Sequence, residues 1–238
     1  MRLNKYIAQC GISSRRKAAE LVKAGRIKVN DQIEKNPAYL VKDSDKISYN
    51  NKVVRPEGRK VYVLMNKPKN VVTTTNDERA RKTVMDIIGK KYDERIYPVG
   101  RLDRNTTGLL LLTNDGDLAK KLTHPRYKVK KRYHVILDKV VSEKDIEKIK
   151  NGVILEDGKA LVDDIDWIDG SDGSEIGIEV HIGKNRIIRR IFEHLGYEVE
   201  RLDRVYYAGL TKKDLPRGWF RELKPKELIM LKHFTGHS

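Results

Sequence analysis

A chain of 238 residues with 39% hydrophobic side chains can bury a core, which excludes global disorder, and its one cysteine, Cys10, excludes an internal disulfide. With 50 Lys/Arg against 34 Asp/Glu the net charge is +16, an excess that points to a polyanionic partner and on its own leaves RNA, DNA and anionic membrane open. No apolar run reaches the roughly 18 residues of a membrane span, and the charged N-terminus lacks the apolar stretch of a signal peptide, so a cytoplasmic location is expected.

Residues 1–60 hold 15 Lys/Arg and 6 Asp/Glu, net +9, which leaves +7 for the other 178 residues. A small basic module therefore precedes a larger, nearly balanced one. Leu3, Tyr6, Ile7 and Cys10 recur at helical spacing, with Gly11 as the stop. Ser13 or Ser14 caps a second helix, which puts Ala18, Leu21 and Val22 on one face and Arg16 and Lys23 on the other, up to Gly25. RIKVN (26–30) is a predicted strand, Asn30-Asp31 a turn, Ile33 onward a return segment, and KISYN (46–50) a further strand. Residues 55–60 are polar and hold both Pro56 and Gly58, so the linker is expected there, with domains at 1–57 and 58–238.

In the second part, VYVLMN (61–66), VVTTT (71–75), GLLLLTN (108–114), KRYHVIL (131–137) and IGIEVHI (176–182) are predicted strands. TVMDIIG (83–89), GDLAKKLT (116–123), SEKDIEKIKNG (142–152) and RIIRRIFEHLG (186–196) are predicted helices. Ser142 with Asp145 resembles a capping box, and Gly152 stands at the C-terminal cap. Strands and helices interleave without a regular repeat. The expected class is α+β: a small two-helix plus sheet domain, then a mixed, largely antiparallel β-sheet with flanking helices. There is no Gly-x-Gly-x-x-Gly, no Walker loop and no zinc spacing, so neither a cofactor nor a metal is expected.

One acid stands out. Asp103 lies in PVGRLDRNTTG (98–108), a polar loop between two glycines that runs into an apolar strand, with Arg101 and Arg104 beside it. Loops anchored on rigid strands often carry catalytic groups, and a neighbouring guanidinium favours an ionised carboxylate. On spacing alone Asp103 serves as well as a turn residue. Asp115, before Gly116, is a second acid for a glycosidase-like pair or, by its Asp-Gly dipeptide, a turn residue.

GRLDRNTTGLLLLTNDG (100–116) resembles the signature segment of the RsuA/RluB-type family of RNA pseudouridine synthases. NKPKNVVTTTND (66–77), LTHPRYKVKKRYHV (122–135), GVILEDG (152–158), GKNRIIRRIFEHLGYEVERLDRVYYAGL (183–210) and LPRGWFREL (215–223) resemble that family in the same order. RLNKYIAQCGISSRRKAAELVKAGRIKVN (2–30) is similar to the S-four-type RNA-binding domain that often precedes the catalytic domain.

The resemblance implies that Asp103 is the catalytic aspartate. It makes Tyr133 the aromatic that packs on the target base and Arg189 the basic residue paired with the aspartate. Taken by themselves, Tyr133 is an ordinary strand aromatic and Arg189 a solvated helix charge. Ile187 departs from the family, which usually has Gln there. Arg15, Arg16, Lys17, Lys23, Arg26 and Lys28 cluster in two short elements with little acid between, which makes them an RNA-docking face or a solvated one, with docking expected; Arg101, Arg186 and Arg190 are the expected RNA contacts around the site. The implied reaction turns a uridine of ribosomal RNA into pseudouridine, in the large-subunit RNA in preference to the small-subunit one. It needs no cofactor. The expected partner is ribosomal RNA or a pre-ribosomal particle rather than a membrane, and a monomer suffices. Two other readings are a non-catalytic rRNA-binding assembly factor and a hydrolase that uses Asp103 with Asp115.

Overall fold

The computed structural model describes residues 1–234, so the last four residues of the 58–238 expectation lie outside the described chain. It divides into two compact units. One is Met1–Val61 together with Tyr92–Ile96, and the other is Tyr62–Lys91 with the chain from Tyr97 onward.

In the first unit, helix α1 (Leu3–Gln9) buries Leu3 and Ile7, and α2 (Arg15–Lys23) buries Ala18 and Val22. Ser14 caps α2, accepting from the Lys17 amide at 3.3 Å. Strands β1 (Ile27–Val29), β2 (Gln32–Ile33), β3 (Ile47–Tyr49) and β4 (Lys52–Val53) form an antiparallel sheet in the order β2-β1-β3-β4. Both of its hairpins turn on two residues with left-handed backbone, Asn30-Asp31 and Asn50-Asn51, the twist that two-residue hairpins favour. Glu57 is bound into this unit: its amide donates to Gln9 O and its carboxylate accepts from the Arg95 amide.

The second unit is a nine-stranded mixed sheet. Its elements are β5 (Tyr62–Lys67), α3 (Val84–Ile88), β6 (Tyr97–Pro98), β7 (Thr107–Thr113), α4 (Gly116–Thr123), β8 (Lys131–Leu137) and α5 (Glu143–Asn151). A small hairpin follows, β9 (Val153–Leu155) with β10 (Gly158–Ala160). Then come β11 (Asp164–Trp167), β12 (Glu175–Val180), α6 (Ile187–His194), β13 (Val199–Tyr207), β14 (Leu210–Thr211), β15 (Phe220–Glu222) and α7 (Pro225–His233). The main order is β11-β12-β8-β13-β7-β5-β15, antiparallel except where β13 runs parallel to β7. Every residue of β5 is buried, as is nearly every residue of β7, which accounts for their unbroken apolar runs. Leu64, Leu109 and Leu111 pack with Leu118 and Leu122 of α4 and Leu231 of α7. No helix among the described residues is long and apolar enough to cross a membrane.

The predicted strand 71–75 does not form; Val72 makes only one isolated bridge, to Thr83. The segment supports the Asp103 loop instead. The Thr73 hydroxyl donates to Leu102 O at 2.8 Å and accepts from the Leu102 amide, and the Asn70 amide donates to Arg104 O at 2.9 Å. Threonine suits a strand, but here its hydroxyl satisfies the backbone of a neighbouring loop.

Lys67, at the end of β5, completes the support. Its side chain has no exposed surface, and its ammonium donates to the carbonyls of Pro68, Asp103, Arg104 and Thr106 at 2.9–3.4 Å. Burial pushes its pKa from the ordinary 10.5 down to about 8. Gly108 sets the neighbouring crossing. Its φ is +103°, and a Cβ there would lie 2.3 Å from Arg204 O and 2.6 Å from Arg204 N, so only glycine lets β7 and β13 meet.

Gly108→Ala is expected to destabilise the protein by about 3 kcal/mol and lower Tm by roughly 10 °C, as calorimetry would record. Lys67→Met strands four carbonyls and is expected to cost about 3 kcal/mol at pH 7. The unfolded chain holds the lysine proton up to 10.5, whereas the folded one releases it near 8. The unfolded state therefore binds more protons in between, and wild type should gain stability over Lys67→Met as pH rises through that window. Denaturant titrations at pH 7, 9 and 10 measure this, and a gap that narrows with pH contradicts it.

Candidate active site

A cavity of about 400 Å³ opens within the second unit, a volume in the range of small-ligand pockets. Its walls come from the Asp103 loop, from Lys131 and Tyr133 on β8, from the segment entering α6, and from Leu202, Arg204 and Tyr207 on β13.

Asp103 is half-buried on this wall. Among the described residues its carboxylate makes no hydrogen bond or ion pair, whereas its backbone is held by Lys67 and by the Thr106 amide. The free carboxylate is thus carried on a fixed loop. Tyr133 is 9% exposed and lies on the same wall. The strand alternation of β8 that buries Val135 and Leu137 places Tyr133 on their face.

Arg189 sits differently from the expectation of a direct pair. It is buried, is not among the wall residues, and donates from Nη1 to Val199 O at 2.7 Å, while its Nε has no hydrogen-bond partner. It forms no ion pair with Asp103 in this geometry. Burial and Arg186 lower its pKa, and the attraction of Asp103 opposes them, so the two charges interact through space. The reason lies in helix periodicity: α6 buries Ile188, Arg189, Ile191 and Phe192, and Arg189 is carried inward with them.

Arg186 precedes α6 in a left-handed conformation, φ +47°, with no side-chain cap, and it lines the cavity together with Ile187 and Ile188. A non-glycine residue held there is the kind of strain that clusters at functional sites. Ile187 makes this stretch of wall apolar. Arg186 also reaches Glu193 at 3.2 Å. Arg101 is exposed and lines the cavity. Arg190 does not line it, since Asp157 holds its guanidinium. In the first unit Arg15, Arg16, Lys17 and Lys23 are exposed, with no acidic partner among the described residues. Arg26 and Lys28 donate to Asn50 and Asn51.

Asp115 is not a second acid of the cavity. It caps α4, accepting from the amides of Asp117 and Leu118 at 3.2 and 3.1 Å, and it takes the Tyr62 hydroxyl at 2.8 Å. Sequence reasoning missed Lys67, Lys131 and Arg204. Lys131 lines the cavity and donates to Val129 O and His181 O, and burial together with the Arg204 charge pushes its pKa down to about 8. Lys67 gave no signal in the sequence, since it stands between Asn66 and Pro68 at the end of an apolar run and its burial is set by the carbonyls of a distant loop.

A free carboxylate, an aromatic ring and arginines lining one cavity suit a flat base on an anionic backbone. Residues 61–194 match the model of the RNA pseudouridylate synthase family, and residues 1–47 match that of the S4 domain. Over 241 residues the chain is 41% identical to Ribosomal large subunit pseudouridine synthase B of Bacillus subtilis (strain 168), covering 100% of this chain and 98% of that one. It is 38% identical over 240 residues to an uncharacterized RNA pseudouridine synthase of Aquifex aeolicus (strain VF5), covering 99% and 95%. A crystal structure of pseudouridylate synthase superposes with a TM-score of 0.70 at 26% identity, over 97% of this chain and 99% of that one. With an S4 domain at its N-terminus and the family's domain after it, the chain belongs to the RNA pseudouridylate synthases and is an RNA pseudouridine synthase.

Proposed function

We propose that the enzyme converts a uridine of large-subunit ribosomal RNA to pseudouridine, with Asp103 as the nucleophilic carboxylate. The observation that carries this reading is the free Asp103 carboxylate on a cavity wall shared with Tyr133. The reaction breaks the bond from ribose C1′ to N1 of uracil, turns the base and joins C5 to the same carbon. A carboxylate can trap or stabilise the electron-poor C1′, as in glycoside cleavage. The base must leave its stack to reach that carboxylate, and the Tyr133 ring offers it a face worth about 1–3 kcal/mol. Arg189 acts as a buried cation whose charge attracts the Asp103 carboxylate through space. The choice of large-subunit RNA is supported by the name of the Bacillus relative, which this chain matches end to end. The basic first unit docks the RNA through its phosphates, held by Arg15, Arg16, Lys17 and Lys23.

A hydrolase would leave free uracil, and an assembly factor would leave the RNA unmodified. Asp103→Asn is expected to slow pseudouridine formation by more than about a thousandfold with RNA affinity almost unchanged. Mapping pseudouridine in both ribosomal RNAs, with wild-type or variant gene, reads out site and product together, and retained turnover would exclude Asp103 as nucleophile. Alanine at positions 15, 16, 17 and 23 together should weaken RNA binding and flatten the slope of log affinity against log salt by about one for each phosphate no longer neutralised. An unchanged slope would remove the docking role.

A further inference from the structure

Arg204 is a buried arginine whose hydrogen-bonding capacity is mostly unused. It is 3% exposed, yet it forms part of the wall of the Asp103 cavity. Its Nε donates to Leu109 O at 2.7 Å, and its guanidinium lies 4.6 Å from the centre of the Tyr207 ring. These two interactions fix one edge and one face. The remaining donors are poorly served: Nη1 reaches the Tyr133 hydroxyl only at 3.5 Å, the outer limit of a hydrogen bond, and Nη2 has no partner. A guanidinium carries five N–H groups, and leaving them unmade in a buried place costs stability. The fold nonetheless goes to some length to hold it. Gly108 admits the Arg204 backbone to close approach, and a bulge between Arg204 and Tyr206 re-aims β13 at this point.

We propose that Arg204 reads a carbonyl oxygen of the target uracil and holds the detached base while it turns. The inference rests on the reading above, in which uridine enters this cavity. When C1′–N1 breaks, its electron pair leaves with the base, and the negative charge spreads onto the two carbonyl oxygens. Arg204 donates to one of them, in place of its weak bond to Tyr133. The charge is discharged within the base: C5 bonds to C1′, loses its proton, and N1 gains one. The fixed cation stabilises the anion formed in that interval, and uracil, with two carbonyl acceptors, presents what an arginine edge recognises. A cytosine presents an amine donor on one of the two corresponding edges, so the same arginine disfavours it there.

The test compares Asp103→Asn with Asp103→Asn/Arg204→Gln, so that no turnover disturbs binding. Each is titrated with two RNA hairpins that differ only at the target position, one with uridine and one abasic. The expected result is a tenfold or greater loss of the preference for uridine over the abasic site, while affinity for the abasic RNA moves less than twofold. In the otherwise wild-type enzyme, Arg204→Gln should lower kcat more than it raises KM. Arg204→Lys keeps a cation and is expected to retain part of the preference; it decides the matter if the glutamine variant melts early. Equal loss of affinity for both RNAs, or an unchanged preference, overturns the proposal. If Asp103→Asn alone shows no preference for uridine over the abasic site, the uridine does not occupy this cavity and the parent reading fails instead.

Discussion

A lysine ammonium with no exposed surface lies beneath the loop that carries Asp103, and the geometry of the site depends on it. Burying a charge is costly, and Lys67 offsets that cost by giving its protons to four carbonyls, three of them belonging to residues 103, 104 and 106. The loop is thereby fixed through its backbone, which leaves the Asp103 side chain without a partner. Had the carboxylate itself held the loop, through an ion pair or a helix cap, it would not be free for a ligand. Thr73 and Asn70 add the remaining bonds, so a segment with strand-forming residues serves to steady its neighbour.

The acids of the second unit show what a structural carboxylate looks like by contrast. Asp115 is occupied by two helix amides and a tyrosine hydroxyl. Asp203 is held by Lys212, Arg217 and Thr107; burial opposes its ionisation, yet those hydrogen bonds prevail and bring its pKa down to about 2. Its stabilising contribution is therefore present above the ordinary carboxylate range and is lost only as pH falls towards 2. Asp103 has no such attachments, and it sits at a cavity.

Both cations of interest on α6 and β13 are buried, but for different ends. Arg189 is turned inward by the helix and bonded to Val199 O, so it influences the site through its field. Arg204 is anchored at one nitrogen and stacked on Tyr207, and its Nη2, itself buried, has no partner. Under the proposed reaction, a base that leaves and rejoins the sugar would meet in Arg204 a fixed charge whose hydrogen bonds are not all made.

The sequence by itself determined the order of elements where periodicity and caps are local. Ser14 and Ser142 sit at helix N-termini that their neighbours define, and KRYHVIL forms the strand its residues favour. The motif around Asp103 was equally legible, because its glycines and acid lie within one short loop. What only the tertiary structure decided are the properties set by residues far apart in the chain. Whether 71–75 pairs as a strand depends on a loop some thirty residues away. Whether Asp115 is free depends on Tyr62, and whether Arg189 touches Asp103 depends on Val199. The worth of Lys67 and Arg204 depends on carbonyls and a crossing contributed by other strands. Propensity and capping act over a few residues, whereas burial and hydrogen-bond satisfaction are settled only once distant strands meet.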